Sequence, residues 1–207
     1  MQLDEFKQLG DVYCTTEDGS MGEKGFVTQH SILSAKLFDS IHTCGPKPMM
    51  VSVARYAKEK GITIIGDMPI YCAFDSSDVW ANHEMYQLND RLEPIFVAGC
   101  PPDGFSATGQ LWGNPLFRWD KMEEENFAWW IKRIGYACKI YNVLRLDHFR
   151  GFEAYYAIPY GDKDASGGHW EQGPGIKLFE ALEKSEGKLN IIAEDLGFLT
   201  EPVKELL

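Results

Sequence analysis

Tyr141-Asn142-Val143-Leu144-Arg145-Leu146-Asp147-His148-Phe149-Arg150-Gly151 reads as a short buried strand that ends in a carboxylate. Val143, Leu144 and Leu146 suit a strand, and Arg145 and Asp147 alternate onto one face with a period of two. An Arg and an Asp two apart at the C-terminal end of a strand project side by side, where α/β barrels place their chemistry. An ordinary strand-end ion pair would be spelled the same way. Leu189-Asn190-Ile191-Ile192-Ala193-Glu194-Asp195-Leu196-Gly197 repeats the form: an apolar run too short for a helix, then acids, then a Gly stop. Glu194 follows Asp147 by 47 residues, an interval that suits one strand-helix-strand step. Two neighbouring parallel strands would then deliver Asp147 and Glu194 to one rim. Glycosidic-bond chemistry uses such a pair, one carboxylate attacking the anomeric carbon while the other protonates the leaving oxygen.

Working outward, Ile62 to Asp67 reads as another buried strand, with Asp67 either on the substrate side of a site or capping a loop. Residues 81–118 are rich in Pro and Gly with little periodicity, the mark of a functional loop. In it, Asp103 and Gln110 offer hydrogen bonds and Phe105 and Trp112 offer aromatic faces for pyranose rings; core burial would equally explain the two rings. Asp120 resembles the cap of one long helix to about Lys139, with Phe127, Trp130, Ile131, Ile134 and Cys138 at helical spacing. Glu123, Glu124 and Glu125 would then face the positive end of its dipole. Gly173-Pro174-Gly175 opens an amphipathic helix with Ile176, Phe179 and Leu182 inward, and Thr200-Glu201-Pro202 starts a last one.

Composition narrows the function. With 207 residues and 44% hydrophobic content the chain can bury a substantial core. No apolar run approaches the ~18 residues of a membrane span, and no leader is evident, so a cytoplasmic setting is expected. Five widely spaced cysteines without a C-x-x-C pair indicate neither a disulfide framework nor a zinc site, and His148 has no companion ligands for a metal. The net charge of −11 disfavours a nucleic-acid partner but not a neutral sugar polymer. Residues 1–60 carry net −1 and residues 61–207 net −10, and all six Trp lie in the second part. Such a shift points to two segments, 1–60 and 61–207, of different origin or task.

Four motifs of the second segment carry a resemblance. Gly66-Asp67-Met68-Pro69-Ile70-Tyr71, the run from Gly99 to Pro115, Leu144 to Gly151, and Ile192 to Gly197 resemble, in order, those of the 4-α-glucanotransferase (amylomaltase, or disproportionating enzyme) family. The resemblance implies a (β/α)8 TIM barrel of the α-amylase type, here partial and truncated. It implies Asp147 as nucleophile and Glu194 as acid/base in a retaining double displacement on maltodextrin, an α-1,4-glucan, without cofactor or metal. Arg145, His148, Asp67 and Asp195 would serve substrate beside that pair, and Asp103, Phe105, Gln110 and Trp112 from the loop. His148 would orient the nucleophile or touch sugar. Where many relatives have Tyr after the Asp of the loop, this chain has Gly104. The family's third carboxylate belongs to a later His-Asp-Asn motif that the chain does not reach. Three recognisable strands cannot close a barrel, so the chain alone is expected not to disproportionate glucans; a non-catalytic glucan-binding remnant is the neighbouring reading.

Residues 1–60 differ. Glu17 to Thr28 and Cys44 to Ala57 resemble the NAD-binding part of ferredoxin-reductase-like proteins, most closely the electron-transfer subunit of dihydroorotate dehydrogenase. That resemblance would put Cys44 beside a nicotinamide and make the segment part of a flavin and iron-sulfur electron-transfer subunit. Cys44-Gly45-Pro46 is also a plain turn before a helix of about Pro48 to Lys60 ended by Gly61. The whole then reads as a short α/β segment spliced onto a barrel fragment at a shared helix.

Overall fold

The computed structural model describes residues 6–36, 38, 41, 46–194 and 200–206, and the chain divides into two compact units, residues 1–65 and 66–207. In the first unit, β1 (Thr15–Thr16) pairs with β2 (Glu23–Lys24), and a 3-10 turn at Val27–Gln29 leads to the short α1 (Ile32–Ala35). The glutamate at Glu23 receives the Ser31 hydroxyl and amide, tying the loop to α1. α2 (Lys47–Lys60) opens at Pro46 and Pro48 and stops at Gly61, whose left-handed φ of 68° lets its amide return to Ala57 and Lys58 carbonyls. This is the helix expected from Pro48 to Gly61. Cys44 lies outside the described residues.

The second unit is α/β. β3 (Ile65–Met68), β6 (Val143–Leu146) and β9 (Ile191–Ala193) form one sheet in the order β3-β6-β9, with β6 and β9 parallel. β4 (Phe96–Cys100), β5 (Gln110–Pro115), β7 (Ala154–Pro159) and β8 (His169–Gln172) form a second, antiparallel sheet in the order β5-β4-β7-β8. The helices are α3 (Ser77–Ala81), α4 (Trp119–Glu124), α5 (Ala128–Ile140), α6 (Ile176–Glu186) and α7 (Glu201–Leu206). One core joins the inward faces of β3 and β6 to α5 and α6; Trp130, Ile134, Phe152 and Leu178 have no exposed surface, and Leu144 and Leu146 almost none. Among the described residues no helix is long and apolar enough to cross a membrane.

Several expectations are corrected. The strand before Asp67 covers Ile65–Met68 and is buried on one face only: Ile64, Gly66 and Met68 point inward, while Ile65 and Asp67 are exposed. The helix expected from Asp120 to Lys139 is two helices. Asn126 and Phe127 adopt left-handed φ of 51° and 54° between them, and the Phe127 amide closes the first on Met122 O at 2.7 Å. The acidic run Glu123–Glu125 therefore falls at the C-terminal end of α4, where the dipole disfavours negative charge, and Asn126 tolerates the left-handed turn that ends it. Asp120 is no cap; it lies within α4 and pairs with Arg118 at 3.3 Å. In α6 the buried stripe is Leu178 and Leu182, flanked by Phe179, and Ile176 faces out.

The largest correction concerns residues 81–118, which are no plain loop. β4 pairs with β5 through Val97↔Pro115, Gly99↔Leu111 and Cys100↔Gln110, with an irregularity between Val97 and Gly99, and on its other edge with β7 through Phe96↔Pro159 to Gly99↔Tyr156. Half of the partners of β4 are more than 50 residues away, so local periodicity had little to register. Gly99 is required here, because a Cβ would meet Gln110 O at 2.1 Å.

Candidate active site

Strand alternation builds the site. Leu144 and Leu146 are buried beneath the sheet, which turns Arg145 and Asp147 to its open face. β6 and β9 are in register through Leu144↔Ile191, Arg145↔Ile192 and Leu146↔Ala193. One further step places Asp147 beside Glu194, whose amide donates to Leu146 O at 2.9 Å. Backbones of neighbouring strands are about 4.8 Å apart, so both carboxyl groups leave the sheet at one level. On the other side the Asp147 amide donates to Met68 O at 2.9 Å, bringing the end of β3 to the same rim.

Arg145 joins these strands electrostatically. Its Nη1 donates to Asp67 Oδ1 at 2.7 Å and to Asp147 Oδ1 at 2.9 Å, and the bond to Asp67 first, then that to Asp147, holds its pKa above the ordinary value. Asp67 is thus an ion-pair partner of Arg145 and not the loop cap that its position also allowed. The chain just after Asp67 is pinned from α5, where Arg133 donates to Pro69 O at 2.9 Å and Ile70 O at 3.2 Å while lying over the rings of Trp129 and Trp130.

His148 follows Asp147 in a left-handed conformation, φ 49°, which turns its ring back into the protein. The ring lies edge-on to Trp112, 4.8 Å between centroids, and 6.2 Å from Tyr71. Burial, and next the Arg150 charge, lower its pKa to about 4, against the opposing pull of Asp147; Nε2 is fully covered and has no partner among the described residues. Gly151 makes the turn possible: a Cβ there would stand 2.9 Å from Ile70 Cδ1 and 3.1 Å from His148 Cδ2.

The loop residues divide. Trp112 is partly exposed, donates from Nε1 to Gln110 Oε1 at 3.0 Å and reaches the rim through His148. Asp103 folds its own turn by accepting the amides of Phe105 and Ser106 at 2.8 Å each. Phe105, at the tip of that turn, is fully exposed, so core burial does not explain it. Asp195 lies outside the described residues. Two residues at the rim escaped the sequence reading. The Tyr71 hydroxyl is buried without a partner among the described residues, and burial raises its pKa. The Cys100 thiol is also pushed up by burial; Arg150 opposes this, and the charges of Asp103 and Glu194 add to it. Their signal was position, since Cys100 is the last residue of β4 and Tyr71 follows the end of β3 by three residues.

Neighbouring parallel strands thus deliver carboxylates to one rim of an α/β unit, with a guanidinium between two of them and partly exposed aromatics alongside. The chain belongs to the 4-alpha-glucanotransferase family, whose sequence profile matches residues 48–207. It is 56% identical to a 4-alpha-glucanotransferase of Clostridium butyricum over 151 residues, 72% of this chain and 31% of that relative. It is 51% identical to the chloroplastic/amyloplastic 4-alpha-glucanotransferase of Solanum tuberosum over 154 residues, 74% of this chain and 27% of the relative. The amylomaltase from Streptococcus agalactiae, solved in complex with acarbose, superposes with a TM-score of 0.74 at 44% identity, covering 77% of this chain and 32% of the other. The chain therefore spans about a third of the length of the relatives it matches.

Proposed function

We propose that residues 61–207 supply the reacting carboxylates of a 4-α-glucanotransferase built on a (β/α)8 barrel, of which β3, β6 and β9 are consecutive core strands. Asp147 attacks the anomeric carbon of an α-1,4-glucan as the bond to the leaving oxygen breaks, and Glu194 gives that oxygen its proton. A second glucan's 4-hydroxyl then loses its proton to Glu194 and attacks the same carbon, releasing Asp147 with configuration retained. Arg145 suits a carboxylate at Asp147 by direct hydrogen bonding. Trp112 and Gln110 offer a ring face and an amide at the rim, and His148, neutral above about pH 4, backs the ring without adding charge. Relatives that are 4-alpha-glucanotransferases, and an amylomaltase solved in complex with acarbose, support a glucan as substrate.

The observation that supports this reading is the β6–β9 register, which puts Asp147 and Glu194 next to each other on adjacent strands; strands about 4.8 Å apart are compatible with the roughly 5–5.5 Å between carboxyl groups that a retaining pair uses. The test replaces the matching segment of the C. butyricum relative with residues 48–207 of this chain and supplies maltotriose. Glucose and longer maltodextrins are expected, with Asp147→Asn and Glu194→Gln each lowering turnover by at least about 10³-fold. A fluorinated glucosyl donor should label Asp147. An adduct on Glu194 or Asp195, or turnover retained by Asp147→Asn, would overturn the assignment.

Residues 1–47 lie before the family match, which begins in the first turn of α2. A splice at this helix, with the preceding segment taken from the NAD-binding part of a ferredoxin-reductase-like protein, is a proposal that rests only on the sequence likeness of Glu17 to Thr28 and Cys44 to Ala57. Titration with NADH, followed by its fluorescence, tests this; an unchanged emission spectrum at millimolar protein excludes it.

A further inference from the structure

A cavity of about 500 Å³ lies in the second unit between the antiparallel sheet and the start of α4. It opens at the Phe96 end of β4, about 13 Å along the strand from Cys100 at the other end, and its lining includes neither Asp67, Arg145, Asp147 nor Glu194. The volume falls within the ~300–1,000 Å³ typical of small-ligand sites.

Its chemistry is specific. Leu88, Ile95, Phe96 and Trp119 form an apolar wall. The lining also holds two amides, Gln87 and Gln172, the Tyr155 hydroxyl, and the ion pair of Arg118 with Asp120 at 3.3 Å. The one positive and one negative charge cancel, so the lining gives a charged ligand no advantage. The amides are held in place rather than free to swing. Gln87 Nε2 donates to Phe117 O and to Tyr155 Oη, both at 3.2 Å, and Tyr155 in turn donates to Glu171 at 2.5 Å. Gln172 Nε2 donates to Glu153 O at 2.6 Å. Both amide oxygens are left as acceptors among the described residues, and Gln172 keeps a second N–H.

Apolar side chains combined with fixed planar donors and acceptors, in a lining with no net charge, complement a neutral polyhydroxylated ring, which has a C–H face and a belt of hydroxyls. We propose that this cavity is a second saccharide site, separate from the carboxylate rim, that takes a short stretch of α-glucan. The choice of α-glucan among neutral sugars rests on the proposed function.

The test titrates the 207-residue chain with maltotriose and follows side-chain N–H signals by NMR. The indole N–H of Trp112 reports on the rim, and the side-chain amides of Gln87 and Gln172 report on the cavity. Both sets are expected to shift, with separate saturation curves. Arg118→Ala with Asp120→Ala, a pair of exposed positions, should weaken the cavity response by tenfold or more and change the Trp112 response by less than twofold. Shifts at Trp112 alone would overturn the second site and leave the rim reading standing. Shifts at the two glutamines alone would uphold the cavity and count against the rim. No shift at either would overturn both, and an equal response to cellotriose would overturn the α-glucan assignment.

Discussion

His148 makes the stability of the second unit depend on acid in a way that one substitution should remove. Its folded pKa is about 4, against 6.5 for a free imidazole, because burial and Arg150 disfavour the charged ring. Between these values the unfolded chain binds a proton that the folded chain does not, so stability is fully present above pH 6.5 and falls as the pH drops toward 4. A difference of 2.5 units corresponds to about 3 kcal/mol over the whole window. Between pH 7 and pH 5 the same two values give about 2 kcal/mol. Asn suits the left-handed backbone at this position and cannot titrate, so His148→Asn should lower stability at pH 7 yet flatten this part of the pH dependence. Urea unfolding at pH 7 and pH 5, followed by tryptophan fluorescence, measures the change for each protein. The other titrating groups enter both and largely cancel. If the variant and the parent lose the same stability over these two pH units, to within about 0.5 kcal/mol, the neutral, buried state of His148 is refuted.

Other substitutions test the packing. Arg133→Ala removes two carbonyl hydrogen bonds and two ring contacts and should cost about 2–3 kcal/mol in urea unfolding; a loss below about 0.5 kcal/mol would mean that the segment after Asp67 is held by other means. Gly99→Ala drives a Cβ into the Gln110 carbonyl and should destabilise by at least about 1–3 kcal/mol, read as a lower melting temperature. Phe105→Ala, at a fully exposed ring, should stay within about 0.5 kcal/mol of the parent. The same substitution in the segment-exchanged relative should raise KM for maltotriose if the ring contacts glucan.

The strands carrying Asp67, Asp147 and Glu194 were legible because each writes its own ending: a few apolar residues, a carboxylate and a turn. The pairing of Arg145 with Asp147 follows from the same alternation. Its second bond, to Asp67, does not, because 78 residues separate the two and only the sheet order brings them together. The break at Asn126 was hidden because the apolar stripe that reads as helix, Phe127 to Cys138, begins only after it, while Asp120 offered an apparent cap before it. The antiparallel sheet was hidden for a different reason. Ile95 to Gly99 has the apolar run of a strand, but its partners lie on both sides of β6 in the chain, and Pro and Gly nearby suggested irregular structure.

That antiparallel sheet bears on how such proteins can be recombined. β4 and β5 come before the strand of Asp147, β7 and β8 come after it, and the seam between β4 and β7 fastens the two halves. Residues 96–115 and 154–172 are consequently one unit of exchange, although the chain writes them as two. A crossover placed between them, with one parent's β4 set against another's β7, would mix the two sides of a ladder in which Ala98 and Ala157 leave no room for a larger side chain. Swapping both halves together, with β6 carried along between them, keeps every rung of the antiparallel sheet intact.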